Sequence, residues 1–290
     1  MTADVTKVDT VAGQPCDPDA PLLAVDGLQV EFRIEDGVVK AVNGLTYSLA
    51  HGETLAILGE SGSGKSVSAQ AVMGILDTPP GYVVGGSVKF RGVDLLEKDE
   101  KRGTYDYIAP EVRGTRISMV FQDALTALNP VFTVGWQIGE MFRVHQGLSK
   151  KEAKEKSIEL MDRVKIPSAR ERVNSYPHEF SGGMRQRVMI AMALALDPDV
   201  IIADEPTTAL DVTVQSQIME LLGELQDETG MGLILITHDL AVVAEVADRV
   251  VVMYAGRRME RGDIQAVYQH PSHPYTRGLM DSIARPDVHL

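Results

Sequence analysis

The sequence contains a single cysteine, Cys16. That excludes an internal disulfide, a Cys-rich zinc site and a cysteine-ligated iron–sulfur cluster, and it fits a reducing compartment. Long hydrophobic runs are missing too: the longest, Val188 to Leu196, falls far short of the roughly 20 residues that span a bilayer. The first twenty residues have neither a basic start nor an apolar core, so no signal peptide is expected there, and their composition predicts a disordered tail over 1–20. Positive charge is scarce, with 28 Lys and Arg against 41 Asp and Glu, a formal charge of −13. Such a balance argues against a general affinity for nucleic-acid backbones or anionic lipid. Any membrane contact is therefore expected to run through a protein partner.

What is present is a globular composition. Of 290 residues, 44% are hydrophobic, enough to bury a full core. The run Leu22 to Phe32 alternates, turns at Asp36-Gly37 and resumes over Val38 to Leu49, the pattern of two antiparallel strands. A buried strand, Thr54 to Leu58, enters a glycine-rich loop and a helix from Lys65 to about Leu76. Val83 to Phe90 and Ile117 to Phe121 read as strands, with the charged stretch 97–116 looping between them. From 123 to 180 the pattern is helical, opened at Ser149 and Glu152 by a capping box ahead of Ala153, Ser157, Leu160, Met161 and Val164. Two further β runs, Val200 to Ala203 and Leu233 to Ile236, flank a helix with Val214, Ile218, Leu221, Leu222 and Leu225 on one face, and Arg249 to Tyr254 adds another strand. Alternating β and α elements predict a parallel sheet covered by helices, with an irregular tail from Gln269.

The chemistry-bearing residues fall at the ends of these elements. Gly59, Glu60, Ser61, Gly62, Ser63, Gly64, Lys65 and Ser66 fit GxxxxGK[ST] between a strand and a helix. Glycines there let backbone N–H groups curl around a phosphate, Lys65 reaches the terminal phosphates, and the Ser66 hydroxyl ligates Mg²⁺. Asp204 and Glu205 follow an apolar strand, where ligands bind in open α/β sheets. Asp204 is expected in the Mg²⁺ shell and Glu205 as acceptor of a water proton; the alternative is that both cap the next helix or stay solvated.

Phe180-Ser181-Gly182-Gly183-Met184-Arg185-Gln186-Arg187 resembles the signature sequence of ABC ATPases. The family pattern has Leu and Gln where this chain has Phe180 and Met184, a wording that resembles the oligopeptide and dipeptide branch. The resemblance implies an α/β fold: a RecA-like P-loop core with an antiparallel β subdomain and a helical insertion. Its divisions would be a tail over 1–20, core and β subdomain over 21–122, a helical subdomain over 123–180, the rest of the core over 181–268 and a C-terminal extension over 269–290.

By the same resemblance Ser181, Gly182, Gly183 and Met184 would face ATP held by a partner subunit. Gln122 would be the glutamine that senses Mg²⁺ and the attacking water, His238 the switch histidine, and Asp211 an acid at the subunit interface, where it equally reads as a helix N-cap. Phe32 reads either as the aromatic that stacks on adenine or as a strand core residue. ATP and Mg²⁺ are the implied cofactors.

The match to peptide-importer ATPases extends over 22–280 through Ala71-Val72-Met73-Gly74, Phe121-Gln122-Asp123, Leu128-Asn129-Pro130, Tyr176-Pro177-His178-Glu179 and His273-Pro274-Tyr275-Thr276. It implies a second ABC ATPase subunit, identical or related, two membrane-spanning permease subunits and an extracytoplasmic peptide-binding protein, on the cytoplasmic face of the membrane, with no nucleic acid. Nickel chelates, glutathione or short saccharides are alternative cargoes. A soluble ABC ATPase of DNA repair or translation is the alternative outside transport.

Overall fold

The computed structural model describes residues 10–208 and 210–281. In chain order it begins with a small hairpin, β1 (Thr10–Val11) and β2 (Gln14–Pro15), followed by β3 (Leu23–Ile34), β4 (Gly37–Leu49), β5 (Thr54–Leu58) and α1 (Lys65–Met73). Next come β6 (Gly81–Phe90), β7 (Val93–Asp94), β8 (Leu96–Asp99), β9 (Thr104–Tyr107) and β10 (Ile117–Val120). Five helices follow: α2 (Ala124–Ala127), α3 (Val134–Gln146), α4 (Lys150–Arg163), α5 (Ala169–Arg172) and α6 (Gly182–Leu194). The chain then alternates through β11 (Val200–Asp204), α7 (Val212–Thr229), β12 (Gly232–Thr237), α8 (Leu240–Val246), β13 (Arg249–Tyr254) and β14 (Arg257–Asp263), and reaches α9 (Ile264–Gln269) and α10 (Pro274–Asp281).

Two six-stranded sheets organise these elements. The central one runs β10-β11-β12-β5-β13-β14, parallel except for the antiparallel edge strand β14. The other runs β4-β3-β6-β9-β8 with β7 on β6, all antiparallel.

The central strands are buried on both faces, so their sequences are continuous apolar runs, and the period of two sorts alternate residues between cores. Leu55, Ile57, Ile202, Ile234, Ile236 and Val251 join the antiparallel sheet and α1 in one cluster. Ile201, Ala203, Leu233 and Leu235 face α6, α7 and the helical region in a second. Ala56, Leu58, Val250 and Val252 meet α8, α9 and α10 in a third.

Local chemistry explains most boundaries. Gly74 and Gly230 end α1 and α7 in the left-handed conformation. The Ser149–Glu152 capping box forms with both of its hydrogen bonds. The hairpin of β3 and β4 closes with Ile34 opposite Gly37. In the helical region Phe132 and the single tryptophan, Trp136, stack with ring centroids 4.0 Å apart, both partly exposed.

Four expectations need correction. Residues 10–20 are no disordered tail: Val11 is buried in the first core, and the Ala12 N–H donates to Glu111 at 2.8 Å. The stretch 97–116 is not a plain loop, since β8 and β9 form a hairpin that brings Thr104, Ala109 and Val112 inside. The helix after the glycine loop stops at Met73 rather than about Leu76, because Gly74 turns left-handed with the Tyr107 ring against its Cα. Part of the C-terminal segment is regular, as α10 buries Thr276 and Met280. Residues 1–9 and 282–290 of the expected termini lie outside the described residues.

Charge had hidden the apolar positions of 97–116, and two-residue strands carry too little pattern to read. Val11→Ala is expected to cost about 1–2 kcal/mol of unfolding free energy, as removal of buried methyl groups does. Urea titration checks this; an unstructured tail would give no change.

Candidate active site

Four strand ends of the central sheet converge. The loop after β5 is Gly59–Ser66; space dictates its first and last glycines, while Gly62 is in the open with a φ of 77° that favours glycine. A Cβ on Gly59 would collide with the Met253 carbonyl, and one on Gly64, at φ 96°, with the Ala41 carbonyl. The backbone is thus clamped between β13 and β4. Lys65 turns back over the loop, its Nζ donating to the carbonyls of Gly59 at 2.7 Å and Glu60 at 3.0 Å. Its burial pushes the ammonium below the usual lysine range, against the pull of Glu205 and Asp204 nearby.

The end of β11 meets this loop. Ser66 Oγ donates to Asp204 Oδ1 at 3.0 Å. Burial pushes the Asp204 carboxyl up, Ser66 pulls it down, Glu205 raises it again and Lys65 lowers it; the net direction is upward. Glu205 takes a left-handed φ of 45°, costing about 1–2 kcal/mol for a residue with a Cβ. Its N–H donates to the Ile236 carbonyl at 2.8 Å.

The Glu205 carboxylate is the hub. Oε2 accepts from Gln122 Nε2 at 3.0 Å and from the Thr208 hydroxyl at 2.9 Å. Oε1 lies 3.4 Å from His238 Nδ1 and 4.0 Å from Lys65 Nζ. Loops after β10, β11, β12 and β5 therefore each place a side chain on one carboxylate or beside it.

The other expected residues sit elsewhere. Ser181 caps α6, accepting from the Met184 N–H at 3.4 Å, and a Cβ on Gly183 would stand 2.5 Å from Val214 of α7. Gly182 faces Leu210. Among the described residues no hydrogen bond or ion pair links Ser181–Met184 to the Glu205 hub. Asp211 caps α7 by accepting from Val214 N–H at 3.0 Å, the helix-cap alternative, which leaves an interface role open. Phe32 pairs with Val39 and Gly81 in the antiparallel sheet and is partly buried against the first core, away from the hub.

Thr208 was missed, although Thr207-Thr208 is plain in the sequence; a hydroxyl three residues past Glu205 was the available signal. Met253 and Gly256, which hold the loop through backbone atoms, carry no side-chain signal.

Two observations test the fit of ligands. Ser63 Oγ is buried in the loop without a hydrogen-bond partner, a donor that a phosphate oxygen would satisfy. Ser66 and Asp204 present hard oxygen donors side by side, the set that a magnesium ion prefers.

Because the folded-state pKa of Asp204 lies above its unfolded value, ionising it opposes folding. The penalty is absent below the unfolded pKa and is complete once pH passes the folded one. Asp204→Asn, which keeps an acceptor for Ser66, is therefore expected to raise Tm at pH 7, with the gain shrinking as pH falls toward 4. Calorimetry across that range checks the sign, and a lower Tm at pH 7 would overturn it.

The family model described as ABC transporter matches residues 42–208, and the model of the oligopeptide/dipeptide transporter C-terminal region matches residues 259–290. The oligopeptide transport ATP-binding protein OppD of Bacillus subtilis is 52% identical over 262 residues, covering 90% of this chain and 72% of its own. Among solved structures, the dimeric ATP-binding cassette MJ0796 in a post-hydrolysis state with ADP and Pi superposes with a TM-score of 0.71 at 25% identity, covering 83% of this chain and 98% of that one. CbiO1 of Clostridium perfringens, part of the ABC transporter complex CbiONQ, gives 0.70 at 30%, covering 87% and 92%. The glycine loop, the paired acids and the signature segment stand inside a family match over more than half the sequence, and the chain belongs to the ABC transporter family as an ATP-binding cassette.

Proposed function

We propose that this chain is the ATP-hydrolysing subunit of a peptide importer, paired with a second cassette on the cytoplasmic face of the membrane. The observation that carries the reading is the meeting of Gln122, Thr208, His238 and Lys65 at Glu205, beside the Ser66–Asp204 pair. A loop that only binds nucleotide has no need of an oriented carboxylate.

In this reading the N–H groups of Gly59–Ser66 and the N-terminus of α1 hold the triphosphate, with Ser63 Oγ and Lys65 as further donors. Ser66 and Asp204 hold magnesium, which when bound supplies positive charge to the phosphoryl oxygens. Glu205 accepts the proton of the attacking water as its oxygen bonds to the γ-phosphorus and the bond to ADP breaks. Gln122 and Thr208 on Oε2 and His238 on Oε1 fix the carboxylate and the water it activates. Lys65 and Asp204 are buried, where charges and oriented donors act more strongly than in water, whereas Gln122, Thr208 and His238 approach the carboxylate from the open side.

The signature residues Ser181–Met184 serve the partner's ATP. The lack, among the described residues, of a hydrogen bond or ion pair from them to this chain's hub, their place at the N-terminus of α6 and the dimeric, ADP-bound form of MJ0796 all support a head-to-tail pair. Hydrolysis removes the contacts that hold such a pair shut. The name of the Bacillus relative and the oligopeptide transporter C-terminal match support peptide cargo and permease partners. No helix among the described residues is long and apolar enough to cross a membrane, so the pore belongs to partner chains.

Glu205→Gln is expected to lower kcat about 10²- to 10⁴-fold, the range for losing a general base, and to accumulate an ATP-bound dimer seen by size exclusion in Mg-ATP. If neither the wild type nor this variant hydrolyses ATP or dimerises with the membrane complex present, the motor reading fails.

A further inference from the structure

The motif His273-Pro274-Tyr275-Thr276 takes no part in the chemistry above, yet the fold carries it to the phosphate-binding loop. The β13–β14 turn makes the connection. Its Gly256 N–H donates to the Ser63 carbonyl at 3.0 Å, and the Met253 carbonyl occupies the space a side chain on Gly59 would need. Between these two contacts Tyr254 leans on Tyr275, with ring centroids 4.6 Å apart and planes at 42°. The Tyr275 hydroxyl is buried and lies beside Glu60, the second residue of the loop.

Tyr275 is fixed from its own side as well. The Glu260 carboxylate on β14 accepts the N–H groups of Ser272 at 2.7 Å and His273 at 3.1 Å, and His273 Nδ1 accepts the Tyr275 N–H at 3.1 Å. Arg277 Nε donates to the Pro271 carbonyl at 2.8 Å. One turn further on, Met280 packs in the same core as Ala56 and Leu58, the face of β5 that leads directly into Gly59. The segment 272–281 thus bears on the loop and on the strand that launches it.

We propose that Tyr275 is a positioning residue of the nucleotide site: its ring, stacked on Tyr254 between the two backbone contacts that hold the loop, braces that loop and couples the order of α10 to nucleotide occupancy. The inference rests on the reading that this loop binds ATP. A loop whose donors are backbone N–H groups works only when its backbone is held, and a brace held by α10 makes that restraint mutual. By linkage, whatever the brace contributes to nucleotide affinity, nucleotide returns to the order of α10. The ring, stacked on Tyr254, carries the effect, and Tyr275→Phe, which keeps that stack, preserves it.

The test uses the full chain, Mg-ATP and Mg-ADP as probes, titration calorimetry for affinity and amide hydrogen exchange for α10. Tyr275→Ala is expected to bind about three- to tenfold more weakly, the range of a lost aromatic pair, while Tyr275→Phe stays within about twofold. In the wild type, nucleotide slows exchange over 274–281, and in Tyr275→Ala that slowing disappears. A merely structural tyrosine would lower Tm and leave nucleotide affinity and nucleotide-dependent exchange unchanged, which overturns the proposal. The wild-type exchange decides the matter even if Tyr275→Ala does not fold: binding without slowing over 274–281 sinks the brace alone, whereas absence of any binding sinks the nucleotide reading with it.

Discussion

The Glu205 carboxylate is a charge on which side chains from several strand ends converge, and holding it there constrains most of the molecule. Its backbone is left-handed, its N–H is tied to β12, and its two oxygens engage side chains from loops after β10, β11 and β12. Those loops keep their places because the strands beneath them are fixed by apolar packing on both faces. The central sheet is therefore the reason that residues from Lys65 to His238 can share one small region. The left-handed turn at Glu205 is a local cost that this packing offsets.

The same two-sided burial decides what can be read from sequence. Strands such as Val200–Asp204 and Gly232–Thr237 are uninterrupted apolar runs because both faces are covered, and they stand out. So do residues whose chemistry requires a particular type, including the glycines of the phosphate loop, Lys65 and the acid pair. Legibility fails where the work is done by backbone or by very short elements. The β1–β2 hairpin has too few residues for a period, and charged neighbours mask Thr104 in the β8–β9 hairpin and Ala109 and Val112 just after it. Thr208 had a signal in its spacing from Glu205, but its role shows in the turn that brings its hydroxyl back onto the carboxylate.

Glycines at the signature segment have a second reason for being there. Gly183 lies against Val214 of α7, so the N-terminus of α6 packs closely on the helix that Asp211 caps. The segment that would face a partner is thereby joined to the loop following Glu205.

The stack of Phe132 on Trp136 gives the chain a built-in optical label. With one tryptophan in the whole sequence, and that one partly open to solvent at the start of α3, the tryptophan fluorescence of the unmodified protein, excited to the red of tyrosine absorption, comes from a single point in the helical region. Its wavelength and quenching follow the surroundings of the Phe132–Trp136 stack, so a chain docked over that stack changes the emission without an added dye.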